Sequence, residues 1–131
     1  MIDDDRTFLE RAVESLEGAR SELARQRFHN CANRCYYACF QAAIHALVMH
    51  GFRPTRGDWG HDFVESQFVG QLINRRHLYD ATLRTVLEQN RDLRVTADYR
   101  RERVTEVRVS RALQRAERFV DAIVRRQESQ T

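Results

Sequence analysis

Apolar residues recur along this chain at steps of three and four, the spacing of one buried face of an α-helix. Arg and Glu fill most of the positions between them, so the opposite face of each helix is expected to meet solvent. The pattern predicts helices at about residues 4–26, 28–50, 61–77, 80–95 and 106–126. Five helices with short connections favour an all-α fold, a single up-and-down helical bundle.

The boundaries of these helices follow from a few local signals. Thr105 is placed to cap the last helix, and the polar residues 127–131 are expected to fray. Gly51 to Gly60 forms the one long irregular stretch, in which Trp59 is either a lid over the core or a contact residue. With one Pro, five Gly and no linker-like segment, residues 1–131 are predicted to form one domain.

The second predicted helix is apolar or small on more than one face. Such a helix lies either at the centre of a bundle or under a second subunit, and the sequence alone leaves both alternatives open. Cys31, Cys35 and Cys39 form a straight stripe on it, which cannot wrap around one metal ion. We therefore interpret them as small buried residues, and predict no metal site and no cofactor.

Composition and charge narrow the possible partners. All 22 basic residues are Arg, but interleaved acids leave a net charge of only +3, which permits a polyanionic partner without establishing one. No window is apolar enough for a membrane span, and the acidic N-terminus lacks the layout of a signal peptide. Three cysteines fit a reducing compartment, so the expected location is the cytoplasm.

Two groups of polar residues are candidates for chemistry. Arg91 and Arg94 are three residues apart and share a helix face, either as a solvated helix end or as a phosphate clamp. Asn30, Arg34 and Tyr37 form a polar stripe on the second helix, which requires a partner or a ligand. The structural alternative is that Arg34 pairs with an acid of the first helix.

The run from Asn33 to Phe40 (NRCYYACF), the run from Arg94 to Tyr99 (RVTADY) and His61 at the start of the third helix resemble the HEPN superfamily. The resemblance covers nearly the whole chain. It implies a helical bundle that dimerises through its central helices. Many members of the superfamily are metal-independent ribonucleases, and they often act as toxins in toxin–antitoxin or defence loci beside a small nucleotidyltransferase. The family's active site is an arginine, four to six arbitrary residues and a histidine, often followed two residues later by a tyrosine.

This chain departs from that motif at the histidine. Counted from Arg91, Ala97 occupies the histidine position and Tyr99 the tyrosine position. Arginine can still bind phosphate, but a tyrosine with a pKa of about 10 is a poor proton acceptor beside a histidine with a pKa of about 6.5. A histidine from elsewhere, of which His61 is the best candidate, would be needed to restore catalysis.

Two hypotheses follow from the sequence. The first is an RNA-targeting toxin with Arg94, Asp98 and Tyr99 as catalytic residues. The second is a non-catalytic module that binds a nucleotide or a nucleotidyltransferase partner, with Tyr99 as the target of modification. In both hypotheses the protein is a homodimer, and an RNA or nucleotide binds to the same group of residues. The remaining residues predicted to bind nucleic acid or nucleotide are Arg91, Arg34, Asn30, Tyr37 and His61.

Overall fold

The computed structural model describes residues 4–99 and 103–130, with side chains from Thr7 onward, and five α-helices form in this part of the chain. The predicted all-α class is confirmed. None of the helices within the described ranges is long and apolar enough to cross a membrane. The helices are α1 (Asp4–Ala24), α2 (Phe28–Met49), α3 (His61–Gln67), α4 (Val86–Tyr99) and α5 (Glu106–Ser129).

Helix α2 lies at the centre of the bundle and packs against each of the other four helices. Ala42, Ala43 and Ile44, which follow one another at steps of about 100° around α2, are all buried. A single protomer therefore accounts for the apolar character of α2, which is the first of the two alternatives. Cys31, Cys35 and Cys39 are buried free thiols, and no three metal-ligand side chains converge anywhere in the described ranges.

Helix α5 begins where the sequence predicts and ends later. The hydroxyl of Thr105 accepts a hydrogen bond from the backbone N–H of Arg108 at 3.2 Å, as expected of an N-cap. The helix continues to Ser129, so the predicted fraying after residue 126 is not observed for residues 127–129, while Thr131 lies outside the described residues. Gln127 holds this end in place, because its Oε1 lies 2.8 Å from Nε2 of the buried His45.

The third predicted helix differs from the expectation in its second half. After Gln67 the chain continues as a π-helical segment, Phe68–Arg75, whose wider turns bury Phe68, Leu72 and Ile73. The spacing of Phe68, Leu72 and Ile73 indicates a buried helical face, but it does not distinguish wide turns from α-helical ones. His77 then ends the segment with a left-handed backbone (φ 53°).

Helix α4 begins and ends later than the predicted range of 80–95. The carboxylate of Asp80 accepts the backbone N–H of Thr82 at 2.8 Å, which starts a short 3₁₀ turn, Ala81–Leu83, before α4. The helix itself runs from Val86 to Tyr99. The motif that the sequence placed at a helix end is therefore helical, and its side chains have the fixed directions of an α-helix.

A buried polar residue joins α4 to α5. Asn90 is fully buried, and its Nδ2 donates to the backbone carbonyl of Ala112 at 3.2 Å. Its Oδ1 accepts a hydrogen bond from Nε of Arg115 at 2.9 Å. Because Asn90 immediately precedes Arg91, this network fixes the rotation of α4 about its axis at the arginine face.

Trp59 covers one end of the core. It is half-buried, and its ring meets Phe8 and Phe63 edge-on at centroid distances of 6.2 and 6.0 Å. Of the two interpretations of this residue, the lid is the arrangement observed. Its position also fixes the end of the loop that leads into α3.

Candidate functional site

His61 is the first residue of α3 and faces the side of α2. Gly60 precedes it in an extended conformation, which turns the chain from the loop into the helix. Nδ1 of His61 lies 2.5 Å from the hydroxyl of Tyr36 on α2, a short hydrogen bond. The imidazole also packs against the Phe40 ring at a centroid distance of 5.0 Å. Within the described part of the chain Nε2 has no hydrogen-bond partner, so it is the nitrogen available for proton exchange.

Arg94 of α4 lies over the rings of Tyr36 and of its neighbour Tyr37. Its guanidinium carbon is 5.3 Å from the centroid of the Tyr37 ring and 5.8 Å from that of Tyr36, within range of cation–π attraction. The nearest carboxylate oxygen to its buried Nε is Oδ2 of Asp98 at 3.6 Å, too long for a hydrogen bond. Oδ2 of Asp98 also lies 3.5 Å from Nδ2 of Asn33. Arg94 is thus held against aromatic rings by a loosely placed carboxylate.

Arg91 completes the cationic edge of the site. Its Nη1 forms an ion pair with Oδ1 of Asp62 at 2.9 Å, which links α4 to the first turn of α3. Arg91, Arg94 and Asp98 share one face of α4, because their spacing of three and four residues returns to nearly the same direction. The face they share is directed at α2 and at the start of α3.

The electrostatics of the site favour a neutral imidazole and a protonated phenol. Partial burial lowers the pKa of His61, and the positive charges of Arg91 and Arg94 lower it further, against the opposing effect of Asp62. Burial raises the pKa of Tyr36 well above its usual range, and the nearby Arg91 only partly offsets this. At neutral pH the site therefore presents a neutral imidazole beside two permanently charged guanidinium groups.

The structure brings together five of the residues proposed from the sequence and separates three. Those that meet are Arg91, Arg94, Asp98, Tyr37 and His61. Tyr99 is 75% exposed, because five residues along a helix place it about 140° from Arg94 around the axis.

The two remaining residues lie away from this site. Arg34 is exposed and packs over α1 at Gly18, where a Cβ atom would come within 2.7 Å of its Nη1. It forms no ion pair with an α1 acid within the described residues. Asn30 lines a separate surface cavity of about 520 Å³ beside the start of α5.

Sequence reasoning missed three contributors to the site. Tyr36, Asn33 and Asp62 were not proposed, although Asn33, Tyr36 and Phe40 are spaced by three and four residues. The residues of α2 that face the site therefore lie one position earlier in the sequence than the predicted polar stripe. The available signal was the three- and four-residue spacing of Asn33, Tyr36 and Phe40 within the NRCYYACF run.

A family model of the HEPN domain matches residues 6–127, nearly the whole chain. The chain therefore belongs to the HEPN family. No curated protein is similar enough to the chain to be matched. The family is established by this match, whereas the chemistry must be argued from the side chains of the site.

Proposed function

We propose that this chain is a metal-independent endoribonuclease of the toxin type, in which His61 performs the proton transfer that the family motif assigns to a histidine next to the arginine. One observation carries the proposal. The imidazole of His61 is hydrogen-bonded to the hydroxyl of Tyr36, and the guanidinium carbon of Arg94 lies 5.8 Å from the centroid of the same tyrosine ring. The site thus regains the titratable group that the motif lacks at Ala97.

The proposed reaction is attack of a ribose 2′-hydroxyl on the adjacent phosphate. Nε2 of His61 accepts the hydroxyl proton as the 2′-oxygen–phosphorus bond forms. The phosphorus–5′-oxygen bond breaks, and the leaving 5′-oxygen takes a proton from water. Arg94 and Arg91 stabilise the negative charge that develops on the phosphate oxygens. The products are a 2′,3′-cyclic phosphate and a 5′-hydroxyl end, and none of these steps routes through a metal ion.

Substitution of Arg94 tests the proposal. A mixed RNA pool incubated with the protein in EDTA is expected to be cleaved, and Arg94→Ala is expected to lower the rate by about tenfold, because a charge-assisted phosphate contact is lost. Arg125→Ala is the matched control, since Arg125 also pairs with a carboxylate four residues away, Asp121, but lies on α5. Cleavage by Arg94→Ala at the parent rate would refute the proposed role of the site.

A second candidate function is favoured by the exposure of Tyr99. With 75% of its surface accessible at the end of α4, its phenol is open to a nucleotidyltransferase partner. Incubation with ATP and a nucleotidyltransferase found by inspection of the neighbouring genes is expected to add the mass of a nucleotide to the parent and none to Tyr99→Phe. Equal modification of both proteins, or of neither, would remove this candidate.

A homodimer remains part of the proposal, on the ground of the resemblance. Because α2 is already covered within one protomer, two copies would meet through other surfaces.

A further inference from the structure

The two arginines of the site are held in different ways. The side chain of Arg94 is only 16% exposed and lies on two aromatic rings. Arg91 is 35% exposed, and its partner Asp62 is 96% exposed. An ion pair this accessible to water is weak and easily exchanged for another anion. Arg94 is therefore a fixed cation, whereas the guanidinium of Arg91 is occupied by a carboxylate that can leave.

We propose that Asp62 is a specificity-determining residue, which occupies Arg91 in the free protein and is displaced by a phosphate of a bound RNA strand. The inference rests on the proposed function, since it assumes that Arg94 binds a neighbouring phosphate of the same strand. A guanidinium matches a phosphate at least as well as it matches a carboxylate, so the exchange preserves the contacts of Arg91.

The surroundings of Arg91 select a strand over a single phosphate. Asp62, Glu65, Glu88 and Asp92 line the same groove of about 420 Å³ as Arg91. Their negative charges repel an anion that approaches between α3 and α4. A mononucleotide has a single phosphate contact with which to offset this repulsion. A strand anchored at Arg94 presents its next phosphate to Arg91 at a high effective concentration, which offsets the repulsion.

The same charges define the path of the strand. The acidic groove lies between α3 and α4, and the half-buried rings of Tyr37 and Phe40 lie on α2. Unpaired bases stack on aromatic rings, so the strand leaves the site across α2 and away from the acidic groove. The substrate class that fits is single-stranded RNA with phosphates at both arginines.

Removal of the charge of Asp62 tests this inference. Asp62→Asn is expected to bind a short mixed-sequence single-stranded RNA about threefold more tightly at low salt, with a gain that shrinks as salt rises. Asp121→Asn is the matched control, because it removes the same charge from an exposed ion pair of the same length, 2.9 Å, on α5. Asp62→Glu retains the carboxylate and is expected to restore the parent affinity. Fluorescence anisotropy with labelled RNA measures all three.

A second readout concerns His61, which is faced by Tyr36 from α2, by Arg91 and Arg94 from α4, and by Asp62 beside it. Because Asp62 raises the pKa of His61, Asp62→Asn is expected to move the acidic limb of the cleavage–pH profile to lower pH. Asp121→Asn is expected to leave that limb in place. A profile unchanged in Asp62→Asn contradicts the proposed coupling.

The possible outcomes separate this inference from the proposed function. Equal RNA affinity of Asp62→Asn and Asp121→Asn, together with weaker binding by Arg94→Ala, would overturn the role of Asp62 and leave the proposed function standing. Weaker binding by Asp62→Asn would also overturn it. Absence of RNA binding by the parent and by every variant would remove both proposals.

Discussion

Substitution of His61 by Gln is expected to lower the rate of RNA cleavage by about 10³-fold and to leave RNA affinity within about twofold. Glutamine can still hydrogen-bond to the hydroxyl of Tyr36, so the buried phenol keeps a partner and the fold is preserved. It cannot take up a proton near neutral pH, so the proton-transfer step is lost. Single-turnover cleavage and anisotropy measured on the same samples separate the two effects.

His77→Gln is the control for this experiment, since His77 is an exposed histidine at the end of the segment that follows α3. It is expected to cleave at the parent rate. Burial and the two arginines lower the pKa of His61, so in the parent the rate is expected to fall only as the pH drops through a value below that of an ordinary histidine. Cleavage by His61→Gln at the parent rate would assign the base to another residue.

Substitution of the buried Asn90 by Ala is expected to reduce the free energy of unfolding by about 3 kcal/mol. The change leaves the carbonyl of Ala112 and the guanidinium of Arg115 without their hydrogen bonds inside the protein, and it opens a small cavity between α4 and α5. Urea denaturation followed by circular dichroism measures the loss. Because Asn90 precedes Arg91, RNA affinity is also expected to fall.

Asn74→Ala provides a matched comparison for the loss of an asparagine–arginine hydrogen bond. Nε of Arg84 donates to Oδ1 of Asn74 at 3.0 Å, close to the 2.9 Å between Arg115 and Asn90. Asn74 is exposed, so water replaces the lost bond, and a change below about 0.5 kcal/mol is expected. Equal destabilisation by the two substitutions would show that the burial of Asn90 does not matter.

The number of helices and their buried faces could be read from the sequence because both depend on local spacing. The spacing of apolar residues at the start of the fourth helix indicates an inward face, and the residues on it are buried: Leu83, Val86, Leu87 and Leu93. The start of α4 was misplaced because the carboxylate of Asp80 caps a 3₁₀ turn that precedes the α-helix. The spacing of hydrophobic residues does not show where a 3₁₀ turn replaces an α-helical one. The π-helical segment was missed because apolar spacing does not distinguish wide turns from α-helical ones.

The candidate site was harder to predict because its residues are far apart in the sequence. Arg91 and Arg94 were found from their shared helix face, and Asp98 from the family resemblance. Tyr99 was favoured because it occupies the tyrosine position of the family motif, yet helix geometry directs it away from Arg94, and tertiary packing brings His61 to the site. Proximity along the chain was therefore a poor guide where the chain proved helical.

The π-helical segment after α3 makes the site sensitive to the length of the chain more than to its composition. His61 stands at one end of a continuous run of helical turns whose other end is anchored in the core by Phe68, Leu72 and Ile73. Loss or gain of one residue in α3 rotates His61 by about 100° relative to this anchor, because each residue of an α-helix turns the chain by that angle. A single-residue deletion at Ser66, an exposed residue of α3 that precedes the anchor, would turn the imidazole away from Tyr36 while every side chain of the site remained present.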